Sequence, residues 1–230
     1  MNSLQEILQT QKDIYVIDST INYENYTPFD LSAKHTDELN LDLTNSEKFE
    51  EFVEAHLSKN NARVAYGGYL EQRNLYKRSR TFNDENTEER NIHIGLDLWI
   101  KAGTSVLSAL DGKIHSFQNN KSFGDYGPTI IIEHQIGDCT FYTLYGHLSL
   151  ESLEGKRKGQ VVKRGEQIAE LGNPPINGDY APHLHFQIIK DIQNKWGDYP
   201  GVCSKKEVDF YKENCPDPNL LLEINSNFLK

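Results

Sequence analysis

Residues 181–186 read "APHLHF", with His183 and His185 on either side of a leucine. In a β-strand successive side chains point to opposite faces, so the two histidines would share one face, with Cα atoms roughly 6–7 Å apart. The other face would be apolar and would carry Leu184, Phe186 and Ile188. The pattern predicts a half-buried strand with two imidazoles side by side. The polar face is either solvent-exposed or part of a metal-binding or catalytic site. Further candidate ligands or catalytic residues elsewhere in the chain would favour the second interpretation.

The segment "HIGLD" places His93 and Asp97 four residues apart. Apolar residues alternate through this segment, which favours a strand over a helix. In a straight strand the two side chains would lie roughly 13 Å apart, whereas two ligands of one zinc ion, each about 2.0–2.2 Å from it, need donor atoms within about 4 Å of each other. Gly95 lies between them and could permit a bulge or a bend. The alternative is a surface histidine beside a turn aspartate.

Another histidine lies in "LYGHLS", at the end of a strand predicted to begin near Cys139. Together these segments supply a set of possible metal ligands and bases: His93, Asp97, His147, His183 and His185. Three nitrogen or oxygen ligands that leave a fourth position for water are typical of catalytic zinc, and no cysteine is close enough in sequence to favour a closed structural site. The spacing leaves open which members contact the metal, since a His-x-His pair supplies two ligands or one ligand and one catalytic group.

The bulk composition narrows the class of protein. The 230 residues are 37% hydrophobic and carry a formal net charge of −10. This is typical of a soluble globular chain and argues against binding to nucleic acid. No run approaches the ~18 apolar residues of a membrane span, and no secretory signal is visible, so we expect a cytoplasmic protein without membrane contact. The three cysteines, an odd number without metal-binding spacing, indicate reduced thiols.

Helical patterns are concentrated near the N-terminus. Ser3 and Glu6 have the spacing of a capping box, as do Thr44 and Glu47. The second pair precedes an amphipathic stripe that we interpret as core packing: Phe49, Phe52, Val53 and Leu57. The segment "DIYVID" between the two helices predicts a brief strand.

From about residue 62 onward, short β-rich runs alternate with turn residues. Asp111-Gly112 and the segment 136–138 are typical of tight hairpin turns. A short helix is predicted near the C-terminus, before Pro216 and Pro218. The sequence therefore predicts a mainly β protein, α+β overall, with an antiparallel sheet as its core. We divide it into an N-terminal helical extension (1–60), the sheet domain (61–200) and a C-terminal tail that packs on it (201–230).

The three motifs "HIGLD", "LYGHLS" and "PHLHF", in this order, resemble those of the lysostaphin-type (LytM-like) zinc metallopeptidases that cleave peptidoglycan cross-links. The likeness covers about residues 90–190 and includes "AGTSVLSALDGKI" and "VVKRGEQIAELGN" between the motifs. It implies the antiparallel fold of that family and one Zn²⁺ per chain. The ligands would be His93, Asp97 and His185, and the catalytic histidines would be His147 and His183, with their individual roles left open.

The sequence also departs from that family. Members of the family usually carry an export signal, and none is visible here. The loop "NPPINGDYAPHLHF" is longer and richer in proline than the corresponding loop of the family. Gln187 stands where an acidic residue is common. The leading hypothesis is a zinc-dependent endopeptidase acting on peptidoglycan-derived peptides. One alternative is an intracellular zinc hydrolase of another small amide. The other is a non-catalytic scaffold on the same fold, but the presence of all five candidate ligand and catalytic residues disfavours the scaffold.

Overall fold

The computed structural model of the protein describes residues 3–39, 43, 45–78 and 88–224. Its helices are α1 Leu4–Gln9, α2 Ala33–Glu38, α3 Ser46–Lys59, α4 Val208–Asn214 and α5 Asn219–Leu222. Its strands are β1 Tyr26–Pro28, β2 Val64–Gly67, β3 Arg90–His93, β4 Leu96–Trp99, β5 Ser105–Leu107, β6 Gly112–Asn120, β7 Gly127–Ile136, β8 Cys139–Gly146, β9 Val161–Val162, β10 Gln167–Glu170, β11 His183–Ile189 and β12 Val202–Ser204.

Eight of these strands form one sheet in the order β1-β2-β4-β11-β8-β7-β6-β9. All neighbouring pairs are antiparallel except β1 and β2, which run parallel. Two small antiparallel sheets, β5 with β10 and β3 with β12, complete the strand structure. The predicted fold class, mainly β with an antiparallel core and few helices, is confirmed.

The alternation predicted for β11 is present in the structure. Leu184, Phe186 and Ile188 lie in the main hydrophobic cluster on one side of the sheet, while His183 and His185 belong to the opposite face. Burying each large apolar side chain contributes roughly 1.5–3 kcal/mol to folding. This burial fixes which face of the strand the imidazoles occupy, because a slip of one residue would reverse the two faces.

The N-terminal residues pack against the sheet. β1 lengthens its edge beside β2, and Leu8 and Ile17 belong to the main hydrophobic cluster. On the other side of the sheet, Phe49 and Val53 of α3 pack in a cluster that includes Trp99. The helical stripe is therefore core, as its spacing predicts. The division of the chain at residues 60 and 200 stays a prediction.

Several of the predicted helix and turn signals are present in the structure. The capping box of Ser3 and Glu6 is present, with both reciprocal hydrogen bonds, and the turn 136–138 joins β7 to β8 as a hairpin. The predicted N-cap Thr44 lies outside the described residues. The cap of α3 that the structure shows is Asn45, whose side chain accepts from the Lys48 N–H at 3.0 Å. A short helix, α4, ends before Pro216, as predicted.

Two local predictions are wrong. In "DIYVID" only Ile17 forms a β-bridge, to Val106, because its neighbouring strand β5 is three residues long and is paired on its other side with β10. Asp111-Gly112 joins no hairpin, since β6 pairs with β7 and β9. The Asp111 carboxylate instead accepts from Lys163 Nζ at 2.8 Å and the Arg164 N–H at 2.9 Å, which holds the turn before β10. Among the described residues no helix has the length and apolar character of a membrane span.

Candidate metal centre

A break between two strands brings His93 and Asp97 together. β3 ends at His93 and pairs with β12, whereas β4 begins two residues beyond Ile94 and pairs with β2 and β11. Gly95 lies at the break, where a Cβ atom would come within 2.4 Å of Cε1 of the His185 ring. The bend at this glycine leaves His93 Nε2 3.3 Å from Asp97 Oδ1. His93 and Asp97 therefore lie close enough to share a metal ion, which a straight strand would not allow.

β11 supplies the third member of the centre. His185 lies opposite Asp97 in the register of β11 and β4. Its Nδ1 is 3.2 Å from Asp97 Oδ1 and 2.9 Å from His93 Nε2. All three residues are buried, with 2% of their surface exposed. His93, Asp97 and His185 thus place one donor atom each around a single buried point.

Hydrogen bonds on the outer sides of the two imidazoles fix where their protons are. His93 Nδ1 lies 2.9 Å from the carbonyl oxygen of Gly68, which can only accept. His185 Nε2 lies 2.9 Å from Oε1 of Gln187, whose amide nitrogen donates to the carbonyl of Pro200. A neutral imidazole carries one N–H. His93 Nε2 and His185 Nδ1 therefore face each other as two lone pairs.

These donors fit a divalent metal ion. Two imidazole lone pairs and a carboxylate oxygen face one another without a hydrogen between them, which is repulsive unless a cation lies among them. Their separations of 2.9–3.3 Å are close to the donor spacing of about 3.3–3.6 Å in tetrahedral zinc sites. Two imidazoles and one carboxylate are also a donor set that zinc binds, with one coordination position left for water or substrate.

The electrostatics keep the ligands in their metal-binding forms. Burial alone would raise the pKa of Asp97, but His93 and Arg73 outweigh it and hold that pKa well below its usual range. Burial lowers the pKa of His93 to about 4, against the opposing charge of Asp97. Near neutral pH the carboxylate is ionised and the imidazole neutral, as metal binding requires.

Two further histidines adjoin the centre. The rings of His147 and His183 have centroids 4.2 Å apart, and His183 Nε2 lies 3.9 Å from Asp97 Oδ1. Each Nδ1 donates to a backbone carbonyl, that of Asn177 at 2.6 Å and that of Ala181 at 2.7 Å, which leaves each Nε2 as an acceptor. Burial lowers the pKa of His183, and lowers that of His147 further with help from the neighbouring histidines.

The long loop before β11 positions one of these rings. The Asn177 amide nitrogen donates to the carbonyls of Gly172 and Tyr180, and its oxygen accepts from the Tyr180 N–H. The carbonyl of Asn177 then accepts from His147. The loop that departs from the family pattern in sequence is therefore folded around an asparagine that orients His147.

The five side chains line one part of a cleft of about 210 Å³. Tyr126 lies between two of them, with ring centroids 5.0 Å from His185 and 5.7 Å from His147. Charged residues also line the cleft, among them Asp125 and Asp198. Burial raises the pKa of Asp125 to about 6, with the nearby Asp198 adding to the rise.

All five residues singled out from the sequence lie together here. Three functional contacts were missed: Arg73 on Asp97, Gln187 on His185 and Gly68 on His93. Arg73 and Gly68 precede the first motif, in a segment whose sequence shows no recognisable motif or periodic pattern. The position of Gln187, two residues beyond His185 and on the same face of β11, was the one available signal.

A mainly antiparallel sheet that carries a His–Asp–His centre beside two further histidines is an arrangement typical of metal-dependent hydrolases. Residues 91–196 match the profile described as Peptidase family M23, and all five residues fall within this range. This segment of the chain is thus similar to the domains of that peptidase family.

Two curated proteins and one solved structure are similar to parts of this chain. The chain is 35% identical over 98 residues to the peptidoglycan DD-endopeptidase ShyB of Vibrio cholerae, covering 42% of this chain and 20% of that protein. It is 26% identical over 132 residues to an L-Ala–D-Glu endopeptidase of Bacillus subtilis, covering 54% and 38%. The catalytic domain of lysostaphin from Staphylococcus simulans is a structural neighbour with a TM-score of 0.40 and 23% identity, covering 71% of this chain and 97% of that domain. The chain thus spans well under half of the two curated relatives.

Proposed function

We propose that this protein is a zinc-dependent hydrolase of peptide bonds whose substrates are short peptides of the peptidoglycan type. One observation carries the proposal: three metal-binding lone pairs converge beside two further imidazoles whose Nε2 atoms are free to accept a proton. The two endopeptidases described above support this substrate class, since one is named for peptidoglycan and the other for the peptide bond between L-Ala and D-Glu.

The division of roles follows from the contacts. His93, Asp97 and His185 would hold zinc, because their donor atoms face one point. A zinc ion held by these residues would supply Lewis acidity, which polarises a scissile carbonyl and lowers the pKa of bound water toward about 7. Arg73 and Gln187 keep the ligand side chains oriented from behind.

His147 and His183 handle protons. Each has its Nδ1 hydrogen committed to a carbonyl, so each Nε2 can accept a hydrogen bond from the attacking water and remove its proton. As the C–N bond breaks, the leaving nitrogen needs a proton, and the imidazolium formed in the first step is its nearest source. The second ring, whose Nε2 is also an acceptor, orients the attacking water by accepting its other hydrogen bond.

The cleft limits the size of what binds beside the metal. Its volume of about 210 Å³ is below the roughly 300–1,000 Å³ of typical ligand pockets. This favours a substrate that places one or two residues near the scissile bond. The same volume supports a second candidate function, hydrolysis of a small amide that is not a cell-wall peptide.

A substrate panel tests both candidates. The protein is stripped with a chelator, reloaded with one equivalent of Zn²⁺ and incubated with muropeptides and with simple dipeptide amides, and the products are identified by mass spectrometry. We expect zinc-dependent cleavage of muropeptide bonds and none by the stripped protein. Cleavage of dipeptide amides alone would favour the second candidate. A zinc-loaded protein that cleaves nothing in the panel would favour the scaffold.

A further inference from the structure

A buried arginine contacts Asp97 on the side opposite the two histidines of the centre. Arg73 is 1% exposed, and its Nη1 donates to Asp97 Oδ2 at 2.5 Å. The other carboxylate oxygen, Oδ1, is the one that faces His93 and His185. The two oxygens of Asp97 are therefore divided between two tasks, and only one remains available to a metal ion.

Arg73 is itself held by a second carboxylate. Its Nε donates to Glu71 Oε2 at 2.5 Å, while Glu71 Oε1 accepts from the backbone N–H of Leu31 at 3.0 Å. The backbone of the same segment bonds to β3, through the Arg73 N–H to Asn91 at 2.8 Å and the His93 N–H to Glu71 at 2.9 Å. A continuous series of hydrogen bonds thus joins the N-terminal extension at Leu31 to the carboxylate of Asp97.

Trp99 lies between the arginine and one of the two further histidines. The Arg73 guanidinium lies over the Trp99 ring at 5.5 Å, and the His183 ring stacks on Trp99 with ring centroids 5.5 Å apart. Arg73 Nη2 is buried and has no hydrogen-bond partner among the residues that the structure describes. An unsatisfied buried donor is unfavourable, so packing alone is a poor reason for an arginine at this position.

We propose that Arg73 is a positioning residue that holds Asp97 as a one-oxygen metal ligand, and that Glu71 couples this function to the N-terminal extension. The inference rests on the proposed zinc function and deepens it. It gives residues outside the matched domain a part in building the centre: Arg73 and Glu71 precede residue 91, where the family match begins, and Leu31 belongs to the extension.

A purely structural ion pair would behave differently in a mutant series. Its loss would lower thermal stability and leave the affinity of the folded protein for metal unchanged. A positioning residue changes metal affinity and coordination as well. Outer contacts of metal ligands typically contribute 10–100-fold to affinity or activity.

The test measures Zn²⁺ affinity by competition with a chromophoric chelator, and coordination by the visible spectrum of the Co²⁺-substituted protein. We expect R73Q to bind Zn²⁺ about 10–100-fold more weakly than wild type and R73K to lie between the two. Freed from Arg73, both oxygens of Asp97 could bind, so the Co²⁺ spectrum of R73Q should weaken toward that of a higher coordination number. The matched control is H134Q, which removes a buried histidine that bonds to Asp111 and Thr143; its Zn²⁺ affinity and Co²⁺ spectrum should match wild type.

A second variant covers the case in which R73Q does not fold. In E71Q the amide can still accept from the Leu31 N–H, but it presents an N–H group to Arg73 Nε and so removes that anchor; we expect a Zn²⁺ affinity reduced at least threefold. The inference about Arg73 would be wrong if the folded Arg73 and Glu71 variants bound Zn²⁺ within threefold of wild type and showed an unchanged Co²⁺ spectrum. The proposed zinc function would not be affected by that result. Failure of the wild-type protein to bind Zn²⁺ would overturn the proposed function and this inference together.

Discussion

The imidazole ring of His183 lies against that of His147, with centroids 4.2 Å apart and planes inclined by 37°. Both rings donate through Nδ1 to backbone carbonyls, and burial lowers both pKa values. Two like charges this close in a buried site disfavour each other. The pair therefore holds at most one added proton at neutral pH, as is required of groups that accept a proton from water and return it to a leaving nitrogen.

The first prediction separates proton transfer from metal binding. H147A and H183A should keep one zinc ion per chain, because three other side chains hold it, and should lose peptide hydrolysis by about 10²–10⁴-fold. Elemental analysis and the rate of muropeptide cleavage measure the two effects. If either variant loses zinc stoichiometrically, that histidine is a ligand and our assignment is wrong.

The second prediction concerns the shared carboxylate. D97A should lose tight zinc binding, and because it removes one of the two carboxylates that pair with the buried Arg73, the free energy of unfolding should fall by up to about 3–5 kcal/mol. The control D111A removes the exposed ion pair with Lys163, which is screened by solvent; it should bind zinc normally and lose much less stability than D97A. Full zinc occupancy in D97A would remove Asp97 from the centre.

The third prediction concerns the strand break. In G95A the new methyl group would lie 2.4 Å from Cε1 and 2.6 Å from Nε2 of His185, so the ring must move and zinc affinity should fall. G103A is the matched control, because its Cβ atom would meet nothing within 4 Å although its backbone has a φ of +75°. We expect G103A to lose some thermal stability and to retain zinc. Equal zinc affinities in G95A and wild type would show that the ring tolerates the methyl group.

The sequence predicts the part of this centre that depends on local periodicity. Alternation alone places His183 and His185 on one face, because the apolar residues of β11 can be buried in only one register. The approach of His93 to Asp97 depends on a bend at Gly95, which spacing permits but does not require. The pairing of His93 with Asp97 as ligands of one metal ion was predicted from the resemblance to a known family and not from the periodicity.

Contacts between distant segments were beyond sequence reasoning. Arg73 is 24 residues from Asp97, and a lone arginine in a loop has no pattern that marks it as buried. The incorrect strand at "DIYVID" has the same origin: strand formation depends on the free edge of a partner, and β5 offers one too short for a ladder. Propensity describes the segment, whereas tertiary pairing decides its structure.

The fourth prediction is a pH dependence of stability. The pKa of Asp125 is raised to about 6 from an unfolded value of about 3.9, so folding favours the neutral form, and stability falls as the pH rises through this window. D125N cannot ionise. Because the carboxyl is half-buried and partly screened, we expect a gain of about 1 kcal/mol at pH 8, or about 2–4 °C in Tm, and no gain at pH 3.5. A Tm difference that is the same at both pH values would contradict the raised pKa.

The last prediction concerns the packing of the N-terminal extension on the sheet domain. Phe49 is 1% exposed, belongs to the same cluster as Trp99 and lines the cleft. F49A should therefore lower the free energy of unfolding by about 3–5 kcal/mol and speed the proteolysis of residues 1–60. F210A, at a side chain of α4 that is 49% exposed, is the control and should stay within about 0.5 kcal/mol of wild type. Because the cluster also contains Trp99, which stacks on His183, we expect zinc-dependent hydrolysis by F49A to fall even below its melting temperature. Rapid, clean removal of residues 1–60 from the wild type, with the remainder equally stable and active, would show instead that the extension folds and acts apart from the sheet.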